Sequence, residues 1–291
     1  MAVVVCTRDR PEMLALSLAA LGRQTDREFE TIVVRQGQAL VPPAASNGHD
    51  RMRRVIEDSG HGLSRARNLG WRSTDADWVV FVDDDCELEP GWIATLKRMI
   101  VEHRECSLIA GQVIPTDLPD GPYLPFGVVR FSSERRRTGR WHRPLSVGGG
   151  AGVAIRRSTL EALGGWDERL GAGSEWFPAA EDEDFNYRLL RAREATFVTP
   201  LLRAHHVQWR RRDELAPLFQ GYMIGRGGAA VKHLRSRDVV GGTWLLMLAL
   251  FDCAVLLASV ARFGVRLRLR VGCSSVVGLS IGIGRGLRAA W

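Results

Sequence analysis

One run of the sequence decides the fold: Trp78-Val79-Val80-Phe81-Val82-Asp83-Asp84-Asp85. Its first five residues are apolar, which is typical of a short β-strand that is buried on both faces. Three carboxylates follow the strand directly. Such strands occur in sheets covered by helices, and ligands of these sheets bind beyond the carboxyl ends of the strands. The run therefore predicts an α/β protein with a charged site at the end of this strand.

The segments around this run alternate between strand and helix patterns, which predicts a mostly parallel sheet flanked by helices. The other predicted strands are Ala2–Cys6, Phe29–Val34, Arg54–Glu57 and Val147–Arg156. The predicted helices are Glu12–Gly22, Leu63–Gly70, Ser158–Leu163 and Glu181–Arg193. We expect Ser158 to cap its helix and Gly164-Gly165 to end it. The stretch Pro115–Pro144 predicts a long loop.

The charge of the chain is unevenly distributed. The 291 residues carry a formal net charge of +7. Residues 203–291 contain 14 basic and 4 acidic side chains, a net charge of +10, whereas residues 1–202 contain 26 basic and 29 acidic side chains, a net charge of −3. A nucleic-acid-binding protein would spread its basic residues over the folded body. The distribution therefore excludes nucleic acid as the expected partner.

The cysteines and the start of the chain predict its compartment. Five cysteines are widely spaced and show neither a Cys-x-x-Cys pair nor a disulfide framework, which indicates a reducing environment. The chain starts with a short β-branched run and lacks the basic segment and long apolar core of a signal peptide. We therefore expect the body of the protein in the cytoplasm.

The acidic triplet Asp83-Asp84-Asp85 predicts a metal site. Three adjacent carboxylates repel one another unless a cation is present, and oxygen ligands suit Mg²⁺ or Mn²⁺. In an extended segment Asp83 and Asp85 point to the same side and Asp84 to the other, so the first two are expected to share the ion. A solvated turn is the alternative, and the position at the end of a buried strand favours the site.

Two further groups are candidates for chemistry. Glu181-Asp182-Glu183-Asp184 begins a helix, where acidic residues also stabilise the helix without any catalytic role. Because neighbouring carboxylates disfavour one another's ionisation, one of them is a candidate general base. The pair His205-His206 follows Phe197–Leu202, and one of these imidazoles is a candidate third ligand for an ion at Asp85, although an ordinary structural histidine is the commoner case.

Taken together, five blocks of the sequence resemble the family 2 glycosyltransferases with the GT-A fold. The blocks occur in the family's order and the resemblance covers about residues 2–210. They are Val3-Val4-Val5-Cys6-Thr7-Arg8-Asp9-Arg10-Pro11, Gly62-Leu63-Ser64-Arg65-Ala66-Arg67-Asn68-Leu69-Gly70, Phe81-Val82-Asp83-Asp84-Asp85, Gly164-Gly165-Trp166-Asp167-Glu168 and Glu181-Asp182-Glu183-Asp184-Phe185.

The resemblance implies roles for individual residues. The residues implied to bind the nucleotide-sugar are Thr7, Arg8, Arg10, Arg65, Arg67, Asn68, Asp83 and Asp84. The Asp-x-Asp motif implies that Asp83 and Asp85 hold Mg²⁺ or Mn²⁺, with His206, in preference to His205, completing the ligands. The Glu-Asp motif falls on Glu181-Asp182, and Asp182 is the implied general base.

The reaction implied is transfer of a sugar from a nucleotide-sugar to a hydroxyl by a single, inverting displacement. Gly165, Trp166 and Asp167 are expected on the acceptor side, together with Trp176, although the tryptophans are also ordinary core candidates. The expected acceptor is a glycolipid or a polysaccharide of the cell envelope. The family commonly has an acidic residue after the second strand, where this chain has Arg35-Gln36-Gly37, so UDP is the expected nucleotide with dTDP and GDP open.

Two other functions share part of this pattern. A nucleotidyl- or phosphosugar transferase has the same kind of α/β body and metal carboxylates but does not need a base at Asp182. A catalytically silent protein that binds nucleotide-sugars would not need the intact Asp83, Asp85, Glu181 and Asp182.

The basic last third of the chain predicts a region distinct from the α/β domain. We expect a catalytic domain at residues 1–235 and membrane-associating helices at 236–291, because Thr243–Ala261 is apolar except for Asp252 and Val271–Gly284 is a second apolar stretch. A spanning hairpin would place Arg262, Arg266, Arg268 and Arg270 outside, against the usual charge bias. Helices lying in the cytoplasmic leaflet are therefore favoured over spanning ones, and a soluble helical extension is the alternative. Arg210-Arg211-Arg212 and Arg226 are candidates for contacts with the donor diphosphate or with an acceptor phosphate.

Overall fold

The computed structural model describes residues 1–38, 53–117, 121–125, 127–207, 209–258 and 265–291. Its strands are β1 (Ala2–Arg8), β2 (Glu30–Gln36), β3 (Arg53–Asp58), β4 (Trp78–Asp83), β5 (Cys86–Leu88), β6 (Cys106–Pro115), β7 (Tyr123–Pro125), β8 (Arg135–Arg137), β9 (Val153–Arg156), β10 (Ala195–His206) and β11 (Trp209–Arg211). Its helices are α1 (Pro11–Gly22), α2 (Leu63–Arg72), α3 (Trp92–Glu102), α4 (Arg157–Leu163), α5 (Glu181–Arg191), α6 (Leu215–Arg235), α7 (Val239–Ala258) and α8 (Val265–Arg288). Short 3₁₀ turns occupy Pro144–Val147 and Arg212–Glu214.

The central sheet has the strand order β3-β2-β1-β4-β9-β6-β10-β5, and β8 also pairs with β10. Strands β3, β2, β1 and β4 are parallel to one another, and β6 is parallel to β10. Strand β9 runs antiparallel between β4 and β6, and β5 and β8 run antiparallel to β10. The predicted mostly parallel sheet is confirmed. A separate small sheet pairs β7 with β11.

The sheet buries both faces, because alternate residues of its central strands enter different cores. Val3 and Val80 face a core completed by α1 and α3. Val4 and Phe81 face a second core completed by α2, α4 and α5. The parallel pairing of β1 with β4 sets Cys6 beside Asp83, so the loops after both strands start at the same edge.

Three predicted boundaries differ from the structure. The strand predicted at Val147–Arg156 is only Val153–Arg156, because Gly148 has a φ of +113°, which interrupts an extended strand. Ser158 lies inside the first turn of α4, whose N-cap residue is Arg156. Helix α5 ends at Arg191, and Arg193 has a left-handed φ of 62°. The region predicted as a long loop contains β7 and β8 among its described residues.

The last three helices pack together and against the α/β body. Helix α6 contacts α8 and α7 along its length, and the predicted division after residue 235 falls in the turn between α6 and α7. The end of the chain returns to the body, where the Trp291 ring stacks on Phe177 at 5.3 Å and Arg169 donates to the Ala290 carbonyl at 2.6 Å. Within the described residues, one helix, α7, is long and apolar enough to cross a bilayer. Ala261 and Arg262 lie outside the described residues, as does the side chain of Arg268.

Candidate active site

The acidic triplet lies at the edge where β1 and β4 end, and Thr7, near the end of β1, and Arg10, just after it, contact Asp84. Thr7 Oγ1 donates to Asp84 at 2.7 Å. The Arg10 guanidinium donates to Asp84 at 2.8 Å and to Asp85 at 2.7 Å. Burial raises the pKa of Asp84 to about 6, although Thr7 and Arg10 oppose the shift. Asp84 and Asp85 thus both contact the Arg10 guanidinium. This differs from the prediction that Asp84 faces away from Asp85.

Asp85 also meets a histidine. The ligand atoms of Asp85, Cys86 and His206 lie within 4.8 Å of one another, and His206 Nε2 is 3.1 Å from Asp85 Oδ1. Burial alone would raise the pKa of Asp85, but the hydrogen bonds from His206 and Arg10 lower it to about 2. An ionised carboxylate facing an imidazole fits a divalent cation such as Mn²⁺. The structure therefore offers a candidate metal site.

The two neighbouring histidines separate because successive side chains of a strand point to opposite faces. His206 lies opposite Cys86 across the β10–β5 pair, whereas His205 Nε2 lies 3.3 Å from Glu89. This arrangement favours His206 as a ligand, as expected, and places His205 at the surface beside Glu89. The Cys86 thiol was not predicted here, and only its position directly after the triplet could have indicated it.

Asp83 lies in a different pairing from Asp85. Arg67, which is buried in α2, donates to Asp83 at 3.1 Å and to Asp182 at 2.9 Å. Burial and the charge of Asp85 raise the pKa of Asp83, and Arg67 opposes them. In the structure Asp83 faces Arg67, and the expected sharing of one ion by Asp83 and Asp85 stays a prediction.

The predicted base, Asp182, is held by three donors from three parts of the chain. Its carboxylate accepts from Arg67 Nη1 at 2.9 Å, from the Gly150 backbone N–H at 2.8 Å and from the Trp166 indole N–H at 3.2 Å. Burial, with the charge of Asp182, raises the pKa of Glu181 to about 7. The Glu181–Asp182 pair therefore combines an oriented carboxylate with a neighbour that holds its proton near neutral pH. Gly150 contributes only its backbone, which no side-chain pattern would reveal.

Three of the residues expected to bind the nucleotide-sugar occupy different surroundings. Arg8 is exposed at the end of β1. Arg65 is half exposed and donates to Asp58 at 3.1 Å. Asn68 is buried and is committed to Trp166, since its amide donates to the Trp166 carbonyl at 2.8 Å and accepts from the Trp166 backbone N–H at 2.9 Å. Asn68 thus braces the loop around Trp166, which differs from the pocket-lining role expected of it.

The acceptor-side expectation for Trp166 is corrected by its burial. The indole is only 3 % exposed and packs edge-on against Phe81 at 4.6 Å and face-on against Phe185 at 4.7 Å. No face of the ring is available to stack on a sugar. Asp167 is paired with Arg169 and Lys232, both at 2.8 Å. Gly165 adopts a φ of +72° next to Asn68. Of these three residues, Trp166 contacts Asp182, through its indole N–H. Trp176 is half exposed.

An acidic side chain from β3, Asp58, lies beside the end of β2, where this chain has Gln36 and not the acidic residue common in the family. In the parallel β2–β3 pair, Gln36 lies opposite Asp58, and Gln36 Nε2 donates to Asp58 at 2.9 Å. Asp58 also accepts from the backbone N–H of Gly60 at 3.0 Å and from Arg65. These hydrogen bonds lower the pKa of Asp58 against the effect of burial. The neighbouring strand β3 therefore supplies a carboxylate at this edge of the sheet.

Comparison with known proteins identifies the family of this chain. The model of the family "Glycosyl transferase family 2" matches residues 2–164. The pre-mycofactocin glycosyltransferase of Mycobacterium tuberculosis is 27% identical over 239 residues, which cover 76% of this chain and 48% of that protein. The glucosyl-dolichyl phosphate glucuronosyltransferase of Haloferax volcanii is 24% identical over 178 residues, which cover 58% of this chain and 56% of that protein. The chain thus spans about half the length of these curated relatives.

Solved structures show the same fold. TarS 1–349 of S. aureus superposes with a TM-score of 0.63 at 16% identity, covering 98% of this chain and 80% of that one. Its complex with UDP-GlcNAc gives a TM-score of 0.61 over the same shares. The predicted GT-A fold is confirmed, and so is the family that the five blocks indicated. The chain belongs to glycosyl transferase family 2.

Proposed function

We propose that this chain transfers a sugar from a UDP-sugar to a hydroxyl of a glycolipid or polysaccharide, with inversion at the anomeric carbon. The observation that carries the proposal is the position of Asp182. Its carboxylate is oriented by Arg67, Gly150 and Trp166, and Arg67 separates it from Asp83. A base kept apart from the donor carboxylates is what a single displacement needs, because acceptor and leaving group lie on opposite faces of the sugar.

The residues of the site divide this work. Asp182 takes the proton of the acceptor hydroxyl, and Arg67 holds the carboxylate in place. Asp85 and His206 would hold Mg²⁺ or Mn²⁺, with Cys86 beside them. When bound, the ion supplies positive charge to the departing diphosphate. Thr7 and Arg10 organise the donor side by holding Asp84 and Asp85.

The choice of donor and acceptor is supported by the relatives. TarS has been solved with UDP-GlcNAc and with UDP, and GalNAc-T7, with a TM-score of 0.50, with UDP, GalNAc and Mn²⁺. The names of two relatives, the Haloferax volcanii glucuronosyltransferase and the chondroitin synthase of Escherichia coli, point to a lipid-linked acceptor and a polysaccharide. A nucleotidyl- or phosphosugar transferase does not need a base at Asp182, so it would not explain the three hydrogen bonds that orient this carboxylate. We therefore place that function second.

A panel of nucleotide-sugars tests the reaction. With Mn²⁺, one UDP-sugar should be hydrolysed slowly without acceptor and transferred quickly to a glycan or lipid-linked acceptor, and NMR should show inverted configuration in the product. Asp182→Asn should lower kcat by roughly 10²–10⁴-fold while donor affinity is kept. Retained turnover in that variant would remove Asp182 as the base, and a retained configuration would exclude a single displacement.

We also propose that the C-terminal helices attach the protein to the cytoplasmic face of a membrane. The outward faces of α7 and α8 are apolar, and arginines at both ends of the exposed face of α8 complement anionic headgroups. The apolar residues are Val240, Met247, Leu250, Phe251, Val255, Val276, Val277 and Ile281, and the arginines are Arg266, Arg270, Arg285 and Arg288. Asp252 ties α7 to the body, which favours a helix lying in the leaflet over a spanning one.

Vesicle binding tests this attachment. The protein should sediment with vesicles of phosphatidylcholine and phosphatidylglycerol, and less so at high salt. Leu250→Glu and Val277→Glu should reduce sedimentation, whereas Val101→Glu, at an exposed apolar residue of α3, should not. A polarity-sensitive fluorophore on Cys273, the exposed cysteine among four buried ones, should report an apolar surrounding. Equal sedimentation of all variants would contradict the proposal.

A further inference from the structure

We infer that Arg226 is a positioning residue that ties helix α7 to the first turn of α5 and thereby sets the place of Asp182. The inference rests on the proposed role of Asp182 as base. It assigns to the C-terminal helices a part in catalysis besides any contact with a membrane.

Arg226 joins two carboxylates from different parts of the chain. It lies in α6 and holds Glu183 with two nitrogens, Nε at 2.8 Å and Nη2 at 2.5 Å. Its Nη1 donates to Asp252 of α7 at 2.7 Å. All three side chains are mostly buried. We call these contacts of Arg226 with Glu183 the fork. Because Glu183 follows Asp182 directly, the fork holds the helical turn that carries the proposed base.

Asp252 has a reason to lie in an otherwise apolar helix. It is the single acidic residue of α7, and it accepts from Arg226 and from Arg143, the latter at 2.6 and 2.8 Å. A charged residue that served only membrane insertion would be unfavourable there. Its pairing with two arginines indicates that α7 is held in one register against α6 and the body.

Helix α6 also packs against the backbone that leads into α5. A Cβ on Gly225 would collide with the carbonyl oxygen of Ala179, so glycine is needed for α6 to approach the segment before α5 this closely. Ala180, the N-cap residue of α5, has a left-handed φ of 75°. The chain therefore enters α5 through a strained residue that α6 keeps in place.

The negative charges in the first turn of α5 explain why this turn needs a cation such as Arg226. Four consecutive carboxylates begin the helix and repel one another. Within the described residues Arg67 compensates Asp182, Arg226 compensates Glu183, and Lys232 with Arg188 compensates Asp184. Arg226 is the member of this set that also reaches α7. Loss of the contact between Arg226 and Glu183 would let the first turn of α5 relax away from α6, and a shift of the base by ~1 Å can lower the rate by about 10²-fold.

The test separates positioning from stability. Glu183→Gln and Arg226→Lys each weaken the fork while keeping size, since a lysine cannot hold a carboxylate with two nitrogens. We expect kcat to fall by about tenfold in both, with donor KM within about twofold and the thermal midpoint close to that of the parent. The double variant should fall no further than the worse single one, because the residues act as one unit.

Two further variants serve as controls. Arg143→Gln removes a partner of Asp252 that does not contact Glu183, so kcat should stay within about twofold of the parent. Asp252→Leu makes α7 more apolar, so it should preserve vesicle binding yet lower kcat, whereas Asp252→Asn, which still accepts a hydrogen bond, should recover part of the rate. Unchanged kcat in Glu183→Gln and Arg226→Lys, with folding intact, would overturn the inference.

The outcome for Asp182→Asn distinguishes this inference from the proposed function. If Asp182→Asn is inactive and the Arg226 variants keep full kcat, the base assignment stands and the positioning role fails. If Asp182→Asn keeps full turnover, the proposed function itself fails, whatever the Arg226 variants show.

Discussion

Nη1 of Arg67 lies 2.9 Å from Oδ1 of Asp182, and this contact joins α2 to the first turn of α5. The second terminal nitrogen of the same guanidinium donates to Asp83 at 3.1 Å. One buried cation therefore sets the spacing between a carboxylate at the end of β4 and the proposed base. The pairing explains how carboxylates that repel one another occupy a buried site.

Removal of this cation should destabilise the protein strongly. Arg67→Ala leaves Asp83 and Asp182 without their shared partner, and breaking a buried pair in this way costs about 3–5 kcal/mol. Urea unfolding measures the loss. Arg72→Ala, on the same helix but half exposed and 3.9 Å from Glu168, should cost less than about 1 kcal/mol. Similar losses for the two variants would show that Arg67 is not compensating buried charge.

The indole N–H of Trp166 should matter more for rate than for stability. Trp166→Phe keeps an aromatic ring between Phe81 and Phe185 but removes the donor to Asp182. We expect kcat to fall by about tenfold with donor KM little changed, because the base loses one of three orienting bonds. Trp92→Phe is the matched control, since the Trp92 indole N–H has no hydrogen-bond partner among the described residues. An equal fall in kcat for both would mean that packing alone is responsible.

The two histidines should differ in their effect on metal binding. His206→Ala should weaken Mn²⁺ binding by roughly tenfold or more, because it removes a candidate ligand next to Asp85. His205→Ala should leave it within about twofold, because His205 pairs with Glu89. Electron paramagnetic resonance of free Mn²⁺ measures both affinities without any need for turnover. Equal weakening by the two substitutions would contradict the assignment of His206.

Glu181 should make stability depend on pH between about 4.5 and 7. Its pKa is raised from 4.5 to about 7, so in this window the folded chain keeps a proton that the unfolded chain has lost. The stability contributed by this group is therefore lost as the pH rises through the window. Glu181→Gln lacks the effect, so its thermal midpoint relative to the parent should increase from pH 5 to pH 8.

A matched acid separates burial from helix position. Glu12 also lies in the first turn of a helix, α1, but it is exposed. Glu12→Gln should shift the midpoint by a similar amount at both pH values. A difference for Glu181→Gln that stays constant from pH 5 to pH 8 would show that burial does not hold the proton on Glu181.

The local pattern of apolar and polar residues was sufficient to predict the strands and helices in which that pattern is regular. The apolar runs Ala2–Cys6 and Trp78–Val82 lie within β1 and β4, and the amphipathic stretch Leu63–Gly70 lies within α2. Position after a strand also marked Asp85, and strand alternation separates His206 from His205. These features depend on neighbours in the chain, so they can be read from the sequence.

Long-range pairing explains where the predictions differed. Trp166 was expected at the acceptor side but is buried, because β4 and α5 bring Phe81 and Phe185 to either side of it. Asp83 and Asp85 were expected to share one ion but meet different cations, Arg67 and Arg10. Each pairing depends on which strands and helices are neighbours, and residue types alone do not indicate that.

By itself the sequence determined the α/β body, the family and the order of the charged motifs, because short runs of side chains carry that information. Only the tertiary structure decided the partners of each charge. Arg67 and Asp182 are 115 residues apart, and Arg226 meets Glu183 from 43 and Asp252 from 26 residues away. A buried charge is tolerated only beside its counter-charge, so the packing of α2, α6 and α7 against α5 determines how this site is held.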